Sequence, residues 1–248
     1  MRNILITGAS RGIGNAIAKK LMKDGHNISL GLRNLNTVKG TILDPKLTNS
    51  KNILLNYYEA TDTESIKDWI NNTHSSFGKI DTLIHCAGII RTTGFIFKDH
   101  EYRDIKDLWD INVMGTWYLS RSIWEDLEQS GKGRIQVLVS MSGIRSKGKL
   151  AAYSMSKFGQ MSLCHTMKNI GWDKGIRVTA ICPGWVNTEM SKNIKSIEKK
   201  EMIQVEDIAL LSSTILKLPN SSVPFNIPIN CLLENNFKKH LKEEKKSN

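Results

Sequence analysis

Thr7-Gly8-Ala9-Ser10-Arg11-Gly12-Ile13-Gly14 is the stretch on which the reading of this chain turns. Before it, Asn3–Thr7 is a short apolar run. After it, Ile13, Ile17 and Leu21 recur at i, i+4 and i+8, the period of a helix, and Gly25 supplies a stop. The order is therefore strand, glycine-rich turn, helix. Glycines permit a tight turn and close backbone approach, and a helix N-terminus offers unpaired N–H groups that suit a pyrophosphate. The spacing Gly8-xxx-Gly12-x-Gly14 is not the usual G-x-G-x-x-G. By itself the loop reads either as a phosphate cradle or as a turn with no ligand.

The same alternation runs on through the chain. Asn3–Thr7, Asn27–Leu32, Ile53–Tyr57, Asp81–Cys86, Arg134–Ser140, Arg177–Cys182 and Phe225–Asn230 read as strands. Gly14–Asp24, Thr63–Phe77, Ile105–Gln129, Ala151–Lys174 and Val205–Leu216 read as helices between them. Strands alternating with helices imply right-handed parallel crossovers. The fold class expected is α/β: a single doubly wound domain over residues 1–248, with about seven parallel strands and helices on both faces. The stretch Asn34–Asn52, broken by Asp44-Pro45, offers no convincing helix.

Composition narrows the class. With 248 residues, 40% apolar and 24% charged, the chain can bury a large core unaided, which excludes disorder and a disulfide scaffold. No apolar run approaches the roughly 20 residues of a membrane helix. Met1-Arg2-Asn3 leads straight into the first strand, too short for a secretory signal. The four cysteines, Cys86, Cys164, Cys182 and Cys231, are scattered, which favours reduced thiols and a cytoplasmic location. The six histidines lack ligand spacing, so no metal is expected. The net charge of +11 invites a nucleic-acid reading, yet the basic residues form no Arg-rich block. The densest cluster is the basic C-terminal tail 237–248, interrupted by Glu243 and Glu244, which reads as a solvated terminal helix. Neither a nucleic-acid nor a membrane partner is expected, and the charge suits anionic small molecules instead.

Tyr153 and Lys157 are four apart in a helical stretch, so both project from one face. An ammonium beside a phenol favours phenolate and suits the tyrosine to acid/base work. Tyr102 and Lys106 share that spacing. Context separates the pairs: the strand before Tyr153 ends at Ser140, a hydroxyl at the carboxyl edge of the sheet where ligands bind. Tyr102-Lys106 has no such hydroxyl and reads as surface structure.

Taken together in order and spacing, these residues resemble the short-chain dehydrogenase/reductases, in their compact single-domain subtype with a Rossmann-type fold. The resemblance runs from about Asn3 to Thr188. Thr7–Gly14 is similar to the family's TGxxxGxG loop, and Cys86-Ala87-Gly88 stands where members often carry Asn-Ala-Gly. Asp110–Gly115 resembles the helix segment bearing the active-site Asn, here Asn112. Ser140, Tyr153 and Lys157 match the catalytic Ser and the Tyr-xxx-Lys signature, and Pro183-Gly184-Trp185-Val186-Asn187-Thr188 matches the PGxxxT segment beside the nicotinamide. The resemblance implies hydride exchange between a nicotinamide and a carbonyl or secondary alcohol. Tyr153 would transfer the proton, and Lys157 would hold the ribose and keep the Tyr153 pKa down. Ser140 would bind the substrate oxygen, and Asn112 would anchor a water linking Lys157 to solvent. Implied cofactor contacts are Gly8, Ser10, Arg11, Gly12, Ile13, Gly14, Arg33, Ala87, Gly88, Tyr153, Lys157, Pro183, Gly184, Val186 and Thr188. Blander readings stand beside these: Ser142 in place of Ser140, Asn112 as a helix kink, Thr188 as an N-cap, Arg91 as a solvated charge or an anion contact, and Trp185 and Met190 as packing or pocket wall.

The second strand ends Gly31-Leu32-Arg33-Asn34 without the carboxylate that would accept from the ribose hydroxyls of NAD. Arg33, with Arg11, suits a 2′-phosphate, so NADP(H) is the expected cofactor unless Arg33 merely opens a solvated loop. The segment 189–206 is the expected substrate lid. Trp117, Tyr118, Ile123 and Trp124 exceed what one sheet-facing stripe needs, which points to a homodimer or homotetramer. Two other readings remain: an enzyme like the 3-oxoacyl-carrier-protein reductases, against which the last strand lacks a following Gly-Gly, and a non-catalytic nucleotide-sensing regulator, against which Ser140, Tyr153, Lys157 and Asn112 are all present.

Overall fold

Ile4, Leu5 and Ile6 are all fully buried. Successive strand side chains point to opposite faces, so β1 (Asn3–Thr7) must be covered on both sides. A computed structural model describes residues 1–146 and 148–230. The tail 237–248 and Cys231 lie outside the described residues.

β1 is central in a seven-stranded sheet with β2 (Asn27–Leu32), β3 (Ile53–Tyr57), β4 (Thr82–His85), β5 (Arg134–Leu138), β6 (Arg177–Pro183) and β7 (Asn226–Ile229). The order is β3-β2-β1-β4-β5-β6-β7, and every pairing is parallel. On one face Ile4 and Ile6 meet Ile17 and Leu21 of α1 (Gly12–Lys23) and Ile208 and Ile215 of α8 (Val205–Lys217). Leu5 faces the other way, toward Trp69 of α3 (Thr63–Phe77), Leu119 of α5 (Gly115–Ser122) and Cys164 of α7 (Ala151–Gly171). The doubly wound expectation holds.

Two stretches differ from expectation. Residues 105–129, expected as one helix, form α4 (Tyr102–Leu108), a π-helical turn (Trp109–Met114), α5, and α6 (Trp124–Gln129). Single π turns commonly mark functional positions, and this one carries the fully buried Asn112. The chain leaves helical dihedrals at Ile123 (φ −110°, ψ 9°), a core residue. Of the four large residues in this stretch, Ile123 is core, Tyr118 and Trp124 are partly buried and pack against that core, and Trp117 is half exposed. Within 34–52, Asp44 builds local structure that carries no apolar period. Its carboxylate accepts from the N–H groups of Gly40 and Lys46 and caps the one-turn helix α2 (Pro45–Thr48).

Candidate active site

Crossovers from β1 run toward β2 and β3, while β4 begins the other half of the sheet, so a crevice opens between the carboxyl ends of β1 and β4. Its floor is the Thr7–Gly14 loop. Gly8 has φ +69°, and a Cβ there would lie 2.7 Å from the Ala87 nitrogen. A Cβ on Gly14 would lie 2.4 Å from the Gly8 carbonyl oxygen. These two glycines let backbone pack on backbone. The Thr7 hydroxyl fastens the contact by accepting from the N–H groups of Cys86 (3.1 Å) and Ala87 (3.0 Å).

The crevice is a cavity of about 450 Å³, within the ordinary range of ligand sites. Gly8, Ser10, Arg11, Gly12, Ile13, Gly14, Arg33, Ala87, Gly88 and Thr188 line it. The N-cap of α1, Arg11, makes no side-chain capping bond, and the first turn holds no acid, so its N–H groups meet no competing carboxylate. Tyr58, Glu59, Ala60 and Ile111 also line the crevice and escaped the sequence reading. Tyr58-Glu59 follows β3 as Arg33 follows β2, and that topological parallel is the signal that points to them. Gly31 is bare for a packing reason: the Trp69 ring crosses β2 there, and a Cβ would meet it at 2.5 Å.

A second, smaller chamber of about 140 Å³ adjoins the crevice and shares Ile13, Gly88, Ile89 and Thr188 with it. Its wall includes Ser140, Ser142, Tyr153, Lys157, Pro183, Gly184, Val186, Trp185 and Met190. Every expected cofactor contact thus lines one cavity or the other. Arg145 and Leu150, also on the wall, were not anticipated. Arg91 lines neither cavity and pairs with Asp104 at 3.1 Å. Tyr102 is exposed, and Lys106 is bonded to Asp110. Thr188 and Ser191 form a capping box, so the N-cap reading of Thr188 and its place in the cavity wall both apply.

Ser140 stands where the chain turns off β5. Its backbone (φ 149°, ψ 158°) lies in a region that side-chain-bearing residues rarely adopt. The turn after it is pressed onto α7: a Cβ on Gly143 would sit 2.8 Å from the Lys157 carbonyl oxygen. Ser140 Oγ accepts from the Ser142 N–H at 3.0 Å, so its own proton is directed elsewhere.

Tyr153 is buried, which pushes its pKa up to about 12, while a hydrogen bond with the Ser140 side chain pulls the other way. Lys157 was expected to hold that pKa down. Its Nζ instead donates to the Leu138 carbonyl (3.0 Å) and Gln160 Oε1 (2.6 Å), 5.8 Å from the Tyr153 ring centre. Burial lowers the Lys157 pKa to about 8. The Asn112 side chain is fully engaged: Oδ1 accepts from the Ile89 N–H (2.9 Å), and Nδ2 donates to the Ile89 carbonyl (3.0 Å) and Ser156 Oγ (3.0 Å). It clamps the turn after β4. Among the described residues no group of three or more His, Cys, Asp or Glu is placed to hold a metal.

A family model described as "short chain dehydrogenase" matches residues 2–199. The chain is 33% identical over 233 residues to the agropine synthesis reductase of Rhizobium rhizogenes, covering 93% of this chain and 53% of that protein. It thus spans about half the length of that relative. To the 3-oxoacyl-[acyl-carrier-protein] reductase of Escherichia coli (strain K12) it is 30% identical over 196 residues, 79% of this chain and 78% of that one. In structure, the alcohol dehydrogenase of Thermococcus sibiricus, complexed with 5-hydroxy-NADP, superposes with a TM-score of 0.79 at 22% identity, covering 94% of this chain and 97% of that one. The last likeness speaks to the fold alone. The family model and the reductase matched over most of both lengths go further, and on them the chain belongs to the short-chain dehydrogenase/reductase family.

Proposed function

We propose that the chain is an NADP(H)-dependent oxidoreductase that reduces a carbonyl to a secondary alcohol, with Tyr153 as the proton donor. The observation that carries this reading is the convergence of Ser140, Tyr153 and Lys157 on one chamber that opens into the crevice holding Arg11 and Arg33. The crevice fits the cofactor. Its glycine floor leaves backbone N–H groups at the start of α1, and Arg11 before α1 and Arg33 after β2 both line it, with no acid at residues 31–34. Bound there, NADPH supplies a hydride from its nicotinamide to the carbonyl carbon.

The side chains do the rest. With its pKa near 12, Tyr153 is protonated at neutral pH and delivers that proton to the oxygen as negative charge builds. Ser140 directs its hydroxyl at the same oxygen, a preplaced dipole in a chamber whose wall includes Leu150, Trp185 and Met190. Lys157, with a pKa near 8, is largely cationic at pH 7. Its described bonds use two of three N–H donors, which leaves one for the ribose hydroxyls. Residues 189–206 serve as the lid: Met190 and Ser191 reach the chamber, and Ile197 and Met202 anchor the segment against Trp185. The test is NADPH consumption by the purified protein over a panel of ketones. Turnover of any member supports the reading. Tight NADPH binding with no turnover across the panel favours a nucleotide-sensing regulator instead.

The three described cysteines are free thiols, and no helix among the described residues is long and apolar enough to cross a membrane. A cytoplasmic enzyme is the reading consistent with both. Trp109, Trp117, Met155 and Phe158, each about half exposed, lie on the π turn, α5 and α7. We assign that face to a second copy of the chain. Light scattering at micromolar concentration is expected to return at least twice the monomer mass, and a monomeric mass overturns the assignment.

A further inference from the structure

Gln160 lies one helical turn beyond Lys157 on α7 and is 1% exposed. A buried amide must satisfy both its ends. Here Oε1 accepts from Lys157 Nζ at 2.6 Å, and Nε2 donates to Thr116 Oγ1 at 2.8 Å. Thr116 Oγ1 then donates to the Asn112 carbonyl at 2.8 Å. An ammonium cannot accept, so the orientation of the amide is fixed by its partners. The result is a direct hydrogen-bonded path from the ammonium through the Gln160 and Thr116 side chains to the Asn112 main-chain carbonyl in the π turn.

The ammonium has little else to hold it. The titratable groups around it are His85 from β4, Cys86 after it, Cys164 and Tyr153 from α7, and Cys182 from β6. Burial keeps each of them neutral at pH 7. It drives His85 down to about 3, Cys182 up to about 11, and the thiols of Cys86 and Cys164 higher still. Among the described residues no carboxylate pairs with Lys157. Among the described residues its hydrogen-bond acceptors are the Leu138 carbonyl and the Gln160 carbonyl oxygen, with the Tyr153 ring centre 5.8 Å away.

We propose that Gln160 is a positioning residue for the reaction: it holds Lys157 in its charged form and in register with the cofactor crevice, and ties it through Thr116 to Asn112. The role rests on the reading above in which Lys157 serves the reaction. A leucine at 160 would fill the space and pack against α5 without touching the ammonium's charge.

The test compares wild type with Gln160→Leu and Gln160→Glu. The ionisation of Lys157 is followed by NMR on protein labelled at lysine Cε, its signal assigned by loss in Lys157→Met. Removing an acceptor from a buried cation lowers its pKa, and supplying a carboxylate raises it. The titration midpoint is expected to fall by about one unit in Gln160→Leu and rise by about one unit in Gln160→Glu. The alkaline limb of the kcat–pH profile is expected to move the same way in each. A purely structural role lowers melting temperatures but leaves both midpoints in place, and that result overturns the proposal. Should the leucine variant fail to fold, Gln160→Met takes its place. Shifted Lys157 titrations without any carbonyl turnover would uphold the contact and discard the catalytic reading. Turnover with unmoved titrations would do the reverse.

Discussion

Tyr153→Phe is expected to lower kcat for carbonyl reduction by about 10²- to 10⁴-fold, the usual contribution of one general acid. The substitution removes a single oxygen. The ring keeps its packing against Leu108 and Ala152, so the fold and the crevice are preserved. NADPH affinity, measured by fluorescence titration, is expected to change less than about threefold, because the groups facing the phosphates lie elsewhere in the crevice. Tyr102→Phe serves as the control, since Tyr102 has the same spacing to a lysine but is 66% exposed and lines neither cavity of the site. Equal losses in the two variants would refute the assignment. The direction of the Tyr153 shift adds a condition. A phenol held near pKa 12 is protonated at neutral pH, so the phenolate that must accept a proton in alcohol oxidation is scarce, and oxidation is expected to gain with rising pH where carbonyl reduction does not.

Arg33→Ala is expected to weaken NADPH binding by about tenfold or more, the effect of losing one charge-assisted hydrogen bond, and to spare NADH. Arg33 is exposed and lines the crevice beside Asn34 and Thr37, with Leu32 buried just before it. Nothing at residues 31–34 accepts from ribose hydroxyls in the way a carboxylate does. An exposed cation is screened by salt, so the discrimination should shrink as ionic strength rises. Isothermal titration of wild type and variant with both nucleotides, at low and high salt, measures this. Equal wild-type affinities for NADH and NADPH would remove the role given to Arg33.

How much of this was legible in the chain differs from element to element. β1, β2, β3 and α3 fall at the residues their patterns mark, because apolar runs and one unbroken helical period carry the signal. The stretch 105–129 misleads, since a π turn and a one-residue break at Ile123 leave apolar residues at near-helical intervals. β5 stops at Leu138 rather than Ser140, and at Ser140 the backbone takes a conformation that no serine announces. Many of the lining residues were readable because they follow a strand's carboxyl end, and Tyr153 and Lys157 because their spacing puts them on one face of a helix. Their partners were not. That Lys157 bonds to Gln160 and the Leu138 carbonyl, and not to Tyr153, depends on how α7 is rotated against β5 and α5, and side-chain rotation leaves no mark in spacing.

The conformation of Ser140 has a consequence for the protein's history. Holding a residue with a side chain in that region costs about 1–3 kcal/mol, whereas glycine occupies it freely. Drift under pressure for thermal endurance alone would therefore carry this position to glycine, and the hydroxyl at the chamber wall would vanish in the same step. On the proposed role of Ser140, selection for turnover pulls the other way. Durability and chemistry are then rivals at this one site, and the serine found there is the costlier choice for stability.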